Sequence, residues 1–377
     1  MKILSVVGAR PNFMKIAPLA RAIKRHGRLK HIIVHTGQHY DEKMSHSFFR
    51  DLDIPEPDVN LEVGSGSHAQ QTAEIMRRFE PVILLHKPDV LIVVGDVNST
   101  IACSLVAAKL GVSIAHIEAG LRSFDKDMPE EINRVLTDRI SDIFFTTCPE
   151  ANSHLISEGA PAKRIFFVGN VMIDTLHHNL RKAQTSAILN QLGLVDKGFA
   201  LVTLHRPSNV DDKTNITNIL KAIEVIQKQV PVIFPIHPRT QKNFESLGLT
   251  KYVRSLANLK LIDPLGYLDF LCLMSHSRMV ITDSGGIQEE TTVLKIPCLT
   301  VRENTERPIT IEVGTNVLVG VKTRNIIKEG LNVLRGDFKK GRIPRYWDGK
   351  ASERILNKLM LLYKKKKLRV VCEKVKG

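Results

Sequence analysis

Short apolar runs, each cut off by a glycine, a proline or an acid, recur along this chain. Between them lie longer segments in which apolar positions return every three or four residues. The runs at 2–7, 31–36, 90–94, 112–117, 142–147 and 164–168 have strand length and read as buried strands of a parallel sheet. The segments 13–26 and 69–85 carry the helical period, and the loop Gly64-Ser65-Gly66-Ser67 opens the second of them. Gly169-Asn170 reads as a hinge, after which a fresh series begins. Its strands are expected at 201–204, 232–236, 259–262, 279–282 and 298–301, and its helices at 216–229 and 265–274. This alternation predicts an α/β protein of two Rossmann-like, doubly wound domains facing each other across a cleft. The expected bounds are 1–169 and 170–350. A last helix from 351 to about 367 is expected to pack back on the first domain and to end in a basic tail.

The chemistry collects where strands end, which is where open parallel sheets bind ligands. The run Met279 to Thr282 leads into Asp283-Ser284-Gly285-Gly286-Ile287-Gln288-Glu289-Glu290 and then a helix. Glycines at a helix N-terminus expose backbone N–H groups, and the helix dipole favours an anion there. One turn on, Glu289 or Glu290 is placed to meet sugar hydroxyls, so the stretch suits a nucleotide. A tight turn with solvated glutamates is the competing reading. The first strand turns through Gly8-Ala9-Arg10-Pro11-Asn12, without the Gly-x-Gly-x-x-Gly of a dinucleotide site, which counts against hydride transfer. Arg10 and Lys15 face a ligand there or are surface charges; the residues alone leave both open. Asp96 follows Gly95 and either caps the next helix or serves chemistry. With Glu118 and Glu130 it makes three acids at the ends of successive elements. His205 closes a strand and is either a ligand group or a histidine bonded to backbone.

Composition narrows the function further. At 377 residues, 43% hydrophobic and 25% charged, the chain has the make-up of a two-domain α/β protein. It has no apolar run of membrane-spanning length, and its N-terminus reads as a strand rather than a signal peptide. Five cysteines without close pairs fit a reducing cytoplasm and show no zinc-like spacing. The formal charge of +15 raises the question of nucleic acid. Much of the excess lies late in the chain, as in Lys364-Lys365-Lys366-Lys367, and a single Trp offers no platform for stacked bases. A phosphate-binding enzyme explains the charge more simply.

Taken in order, Gly8-Ala9-Arg10-Pro11, Gly95-Asp96, His116 to Arg122, Pro129 to Arg134, Asp283 to Glu290 and Thr305-Glu306-Arg307-Pro308 form a series. The series resembles the non-hydrolysing UDP-N-acetylglucosamine 2-epimerases, of the GT-B fold, from Lys2 to about Lys365. That resemblance implies elimination of UDP with loss of the carbon-2 proton, a 2-acetamidoglucal intermediate, and re-addition to give UDP-N-acetylmannosamine. It implies no cofactor and no metal. Asp96, Glu118 and Glu130 match the acids proposed for proton transfer, with Lys15 and Arg307 beside them and Arg134 close by in sequence. Arg10, His205, Ser284, Gly285 and Gly286 match phosphate contacts, Glu290 the acid on the ribose, and Phe270 the aromatic on uracil. The expected partners are the UDP-sugar and a second copy of the chain as a homodimer, with neither nucleic acid nor membrane.

Two segments depart from the family. Where many bacterial members carry Gln-His-Arg and further glutamines that help bind a second UDP-N-acetylglucosamine as activator, this chain has Gln38-His39-Tyr40-Asp41-Glu42-Lys43-Met44. The resemblance therefore does not carry that activation over. The stretch between Arg122 and Pro129 is also shorter. Two alternatives stay open: a 2-epimerase of UDP-2,3-diacetamido glucuronic acid, and a GT-B glycosyltransferase. The transferase has no use for several carboxylates around carbon 2.

Overall fold

The structure, a computed structural model, describes residues 1–37 and 55–368, with the side chain of Arg10 left out. The chain divides into two compact units: residues 1–175 with 345–377, and residues 176–344.

Unit one alternates β1 Lys2–Val7, α1 Arg10–His26, β2 Lys30–His35, β3 Val59–Asn60, α2 His68–His86, β4 Val90–Val94, α3 Asn98–Lys109, β5 Ser113–Ile117, α4 Pro129–Ile140, β6 Ile143–Thr146, α5 Pro149–Ser157 and β7 Ile165–Phe167. Helix α6, Val171–Ala183, leads into unit two. The strands pair in parallel in the order β3-β2-β1-β4-β5-β6-β7, so the chain winds out from β1 one way and then the other. Both faces of such a sheet are covered, and every residue of β4 and β5 is buried. Helix starts follow local chemistry. Ser67 accepts from Gln70 N at 3.3 Å as the cap of α2. Pro11 sits in the first turn of α1, and Gly27, with φ +68°, ends that helix.

Gly169, read above as a hinge, has φ +92°, and a Cβ on it would lie 2.0 Å from Tyr346 O. Glycine is required there because two segments of unit one touch backbone to backbone. The only tryptophan, Trp347, is buried and donates to Thr147 O at 2.9 Å. Asp174 then accepts from Ala351 N and Ser352 N at 3.0 and 2.7 Å, starting α16, Ala351–Lys364, which packs against α1.

Unit two opens with α7 Ile188–Leu192 and β8 Ala200–Thr203. It continues through α8 Pro207–Val210, α9 Lys213–Ile226, β9 Val232–Pro235, α10 Pro238–Ser246, α11 Thr250–Arg254, β10 Leu259–Ile262, α12 Tyr267–His276 and β11 Met279–Thr282. Then follow α13 Gly285–Leu294, β12 Cys298–Thr300, α14 Pro308–Glu312, β13 Asn316–Leu318 and α15 Thr323–Arg335. Its strand order, β10-β9-β8-β11-β12-β13, repeats the winding of unit one. The core is the apolar face of α9, with Ile216, Ile219, Leu220 and Ile223, on β8, β9 and β11. Among the described residues no helix is long and apolar enough to cross a membrane.

Candidate active site

In unit one the turns after β1, β4 and β5 meet. Asn12 ties two of them: its Oδ1 accepts from Ala9 N at 3.0 Å, and its Nδ2 donates to Val94 O at 3.0 Å. Lys15, one turn into α1, is no surface charge. Its Nζ lies 2.6 Å from Glu118 Oε2 and both groups are buried. Gly95 makes this approach possible, since a Cβ on it would stand 3.3 Å from Lys15 Nζ in a backbone at φ +67°. Glu118 itself has φ +68°. A residue with a side chain adopts that backbone at a cost of about 1–3 kcal/mol, and such strain gathers at functional sites.

Asp96 does not cap a helix: Val97 takes the cap position of α3, without a side-chain bond. Its carboxylate pairs with Arg134 Nη2, while Arg134 Nη1 lies 2.7 Å from Glu131 Oε2. Asn133 Nδ2 donates to Asp96 O at 2.9 Å. Glu130, at the exposed start of α4, shares with Asp96 a cavity of about 280 Å³ that Asn98, Asn133, His68 and Gly66 also line. The fold thus brings Asp96 and Glu130 together over backing from Arg134. Glu118 sits with Lys15 beside Gly95 and does not line that cavity.

Under these turns lies a buried network. His116 reaches Asp138 Oδ1 at 2.7 Å through Nδ1 and Gly95 O at 2.8 Å through Nε2. Asp138 Oδ2 accepts from Gly120 N at 3.0 Å and pairs with Arg122 Nη1 at 2.8 Å. Burial pushes the Asp138 carboxyl up, but His116 and Arg122 outweigh it and hold it below the usual carboxylate range.

In unit two His205 meets a side chain, not backbone. Its Nδ1 lies 3.0 Å from Asp283 Oδ1, and the ring is half exposed. Asp283, fully buried, also accepts from Arg206 N at 3.0 Å and Asn209 Nδ2 at 3.1 Å. It therefore locks the end of β8 to the end of β11. Ser284, Gly285 and Gly286 follow, half exposed at the start of the ten-residue α13, whose first N–H groups have no partner within the helix. A Cβ on Gly285 would stand 2.7 Å from Glu306 Oε1. Arg302 Nη2 and Arg206 Nη2 lie 2.9 and 3.6 Å from the Glu306 carboxylate. Burial opposes its charge, yet Arg307, Arg302 and Arg206 keep Glu306 well below the usual range. Arg307 Nε pairs with Glu289 Oε1 at 2.5 Å.

Glu290 is different: it is buried and accepts from the Tyr267 hydroxyl at 2.7 Å. Burial pushes its carboxyl from 4.5 up to about 7, against the Tyr267 bond and with help from the Glu289 charge. Phe270 is half-buried on α12, and Arg10 opens α1. The Gln38 to Met44 segment lies outside the described residues. Arg206, Arg302 and Tyr267 were not singled out as site residues above. Their signal is position alone: Arg206 beside His205, Arg302 just past β12 and Tyr267 at the start of α12.

Comparison with known proteins adds a separate line of evidence. Residues 21–360 match a family profile described as UDP-N-acetylglucosamine 2-epimerase. The chain is 43% identical over 362 residues to the UDP-N-acetylglucosamine 2-epimerase of Methanocaldococcus jannaschii, covering 94% of this chain and 98% of the relative. It is 45% identical over 366 residues to the UDP-2,3-diacetamido-2,3-dideoxy-D-glucuronate 2-epimerase of Pseudomonas aeruginosa, covering 96% and 100%. The crystal structure of the M. jannaschii UDP-GlcNAc 2-epimerase in complex with UDP-GlcNAc and UDP superposes with a TM-score of 0.87, covering 96% of this chain and all of that one.

Proposed function

The chain belongs to the UDP-N-acetylglucosamine 2-epimerase family, and from that premise we propose that it inverts carbon 2 of UDP-N-acetylglucosamine by eliminating and re-adding UDP. The observation that carries this reading is the pair Asp96 and Glu130 in one cavity, with Lys15–Glu118 beside Gly95. Removing a weakly acidic proton and returning one to the opposite face takes two positioned carboxyl groups. The departing diphosphate takes cations and helix N–H groups, which Ser284 to Gly286, His205 and Arg307 supply. The C2–H bonding pair forms the C1–C2 double bond, the C1–O bond breaks with its electrons on UDP, and the proton rests on a carboxylate. Re-addition re-forms the C1–O bond with the pair that left on UDP and returns a proton to the opposite face of carbon 2, so the sugar undergoes no net oxidation or reduction and no nicotinamide takes part.

Turnover in heavy water tests this directly. Proton NMR is expected to show deuterium at carbon 2 in both epimers, without added NAD. Full retention of the original hydrogen would rule the elimination out. A second reading keeps the chemistry and changes the sugar to UDP-2,3-diacetamido glucuronic acid, as the P. aeruginosa relative suggests. Offering both sugars to the enzyme and comparing kcat/KM separates the two.

Glu290 holds the ribose hydroxyls in this reading, and its raised pKa gives a pH signature. A carboxyl that goes from 4.5 unfolded to about 7 folded favours the unliganded fold at low pH. That contribution, on the order of 3 kcal/mol, is lost as pH rises towards 7. Hydroxyl donors prefer the ionised form, so UDP affinity is expected to climb through pH 7. Calorimetry on Glu290→Gln should show a flat profile and UDP binding weaker by about 1–3 kcal/mol. An unchanged pH dependence would place the ribose elsewhere.

The enzyme acts as a homodimer in this reading. Helix α4 buries Glu131, Arg134, Thr137 and Asp138 and turns Ile132, Val135 and Leu136 outward at 50, 37 and 49% exposure. Apolar side chains spaced i, i+3, i+4 on an outer face ask for a partner surface. A monomeric mass by light scattering at micromolar concentration would overturn it.

A further inference from the structure

The opposite edge of the unit-two sheet carries a second feature that the epimerase reading does not use. Lys197, Arg278, Lys295 and Thr315 lie just before β8, β11, β12 and β13, so they stand at the strands' amino ends. His205 and Ser284 stand at the carboxyl ends of β8 and β11. At the amino edge a cavity of about 650 Å³ is lined by Lys197, Arg278, Lys295, Lys339 and Lys340, and by no carboxylate. Its apolar lining includes Ile296, Val333 and Phe338.

Three of these five cations are held rather than loose. Lys197 Nζ donates to Ser275 O and Ser277 O at 2.7 and 3.3 Å, Arg278 Nη2 to Leu334 O at 3.2 Å, and Lys339 Nζ to Ile311 O. Carbonyls near the ends of α12 and α15 thus fix two of the side chains, and much of their rotamer entropy is already lost before a ligand arrives. An ammonium or guanidinium so held keeps further donors. Lys295 also has the left-handed backbone, φ +57°, where glycine or asparagine is the easier choice. Burial and the Arg278 charge push the Lys197 ammonium down, the neighbouring Asp196 acting the other way, and burial does the same to Lys339 against Glu312. Five like charges drawn around one hollow repel one another, and a multivalent anion relieves that repulsion.

We propose that this amino-edge cavity binds a small multivalent phosphate anion, at a site separate from the one that holds the UDP-sugar. The size, within the range of small-molecule pockets, and the mixture of cations with an apolar wall suit a nucleoside polyphosphate or free polyphosphate.

The test uses the full chain saturated with UDP, so that the diphosphate site is filled and its binding is measured separately. Calorimetric titration with inorganic tripolyphosphate is expected to show one further site per chain, weakened as ionic strength rises. ATP binding tighter than tripolyphosphate assigns a nucleoside to the apolar wall. Equal affinity assigns the site to phosphates alone. The double variant Lys295→Glu, Lys340→Glu alters two exposed side chains. It is expected to keep UDP affinity and to lose tripolyphosphate binding by at least about 10-fold. Independently of any variant, hydrogen exchange in the native chain is expected to slow at 294–297 and 336–341 when tripolyphosphate is added. Absence of a second site in the UDP-saturated chain overturns the proposal. So does a double variant that binds UDP and tripolyphosphate as the native chain does, or exchange that slows only around 283–290. Because UDP binding is read in the same experiment, failure of this site is distinct from failure of the epimerase reading.

Discussion

Asp96→Asn is expected to lower kcat by about 10²–10⁴-fold, the usual contribution of one positioned acid or base, while UDP affinity stays as it is. The amide keeps the shape and removes the capacity to take up and return a proton. The structure makes Asp96 a cleaner acid to change than Glu118. Its side chain is 28% exposed, and Arg134, its partner, keeps Glu131 at 2.7 Å. Glu118→Gln leaves the buried Lys15 ammonium facing an amide at a position of backbone strain, so it mixes lost chemistry with lost stability. The nucleotide contacts argued for Ser284 to Glu290 lie in residues 176–344 and do not involve Asp96. Single-turnover rates and UDP calorimetry on the same preparation check both halves. Free 2-acetamidoglucal and UDP in the product mixture would show that elimination outlasts re-addition in the variant. Near-normal epimerisation would remove Asp96 from the proton path and leave Glu118 and Glu130.

Much of the fold is legible in the chain because parallel strands buried on both faces are written as uninterrupted apolar runs. Val90 to Val94 and Met279 to Thr282 coincide with β4 and β11; Leu259 to Ile262 coincides with β10 although that edge strand is half exposed and carries Lys260. The short edge strands, β3 and β13, carry too few residues to signal themselves, and both depend on a neighbour for pairing. Helices α5, α6, α10 and α15 have no counterpart among the segments expected from the sequence. At the site, residue types at strand ends were readable and their pairings were not. Lys15 and Glu118 are 103 residues apart, and they meet because β1, β4 and β5 are neighbours and Gly95 has no side chain. In the sequence Asp283 reads as part of a nucleotide turn. Its bonds to His205, Arg206 and Asn209 give it the role of a clasp between two strands.

His116 and Asp138 show the same limit from the side of stability, and Asp138→Asn is expected to cost about 3–5 kcal/mol, the range for stripping one charge from a buried pair. For a unit of this size that lowers Tm by on the order of 10 °C. Arg122 survives the change better than His116 does. Its Nε and Nη2 still reach Glu158 at 2.8 and 2.5 Å, whereas both His116 nitrogens face oxygen acceptors and one of these is Asp138. The sign with pH follows from the depressed carboxyl. Its stabilisation is present above the ordinary carboxylate value of 3.8 and is lost as pH falls through the lower folded value. Native protein is therefore expected to lose this contribution only in strong acid, and the variant to lack it at every pH. Catalysis is expected to suffer with stability, because His116 donates to Gly95 O and stands two residues before Glu118. His116→Gln combined with Asp138→Asn should cost less than the sum of the two, since each variant breaks the same contact. Thermal unfolding of the four proteins between pH 3 and pH 8 reads all of this, and an additive pair with an unchanged acid limb would show that Asp138 is held by Arg122 and Gly120 alone.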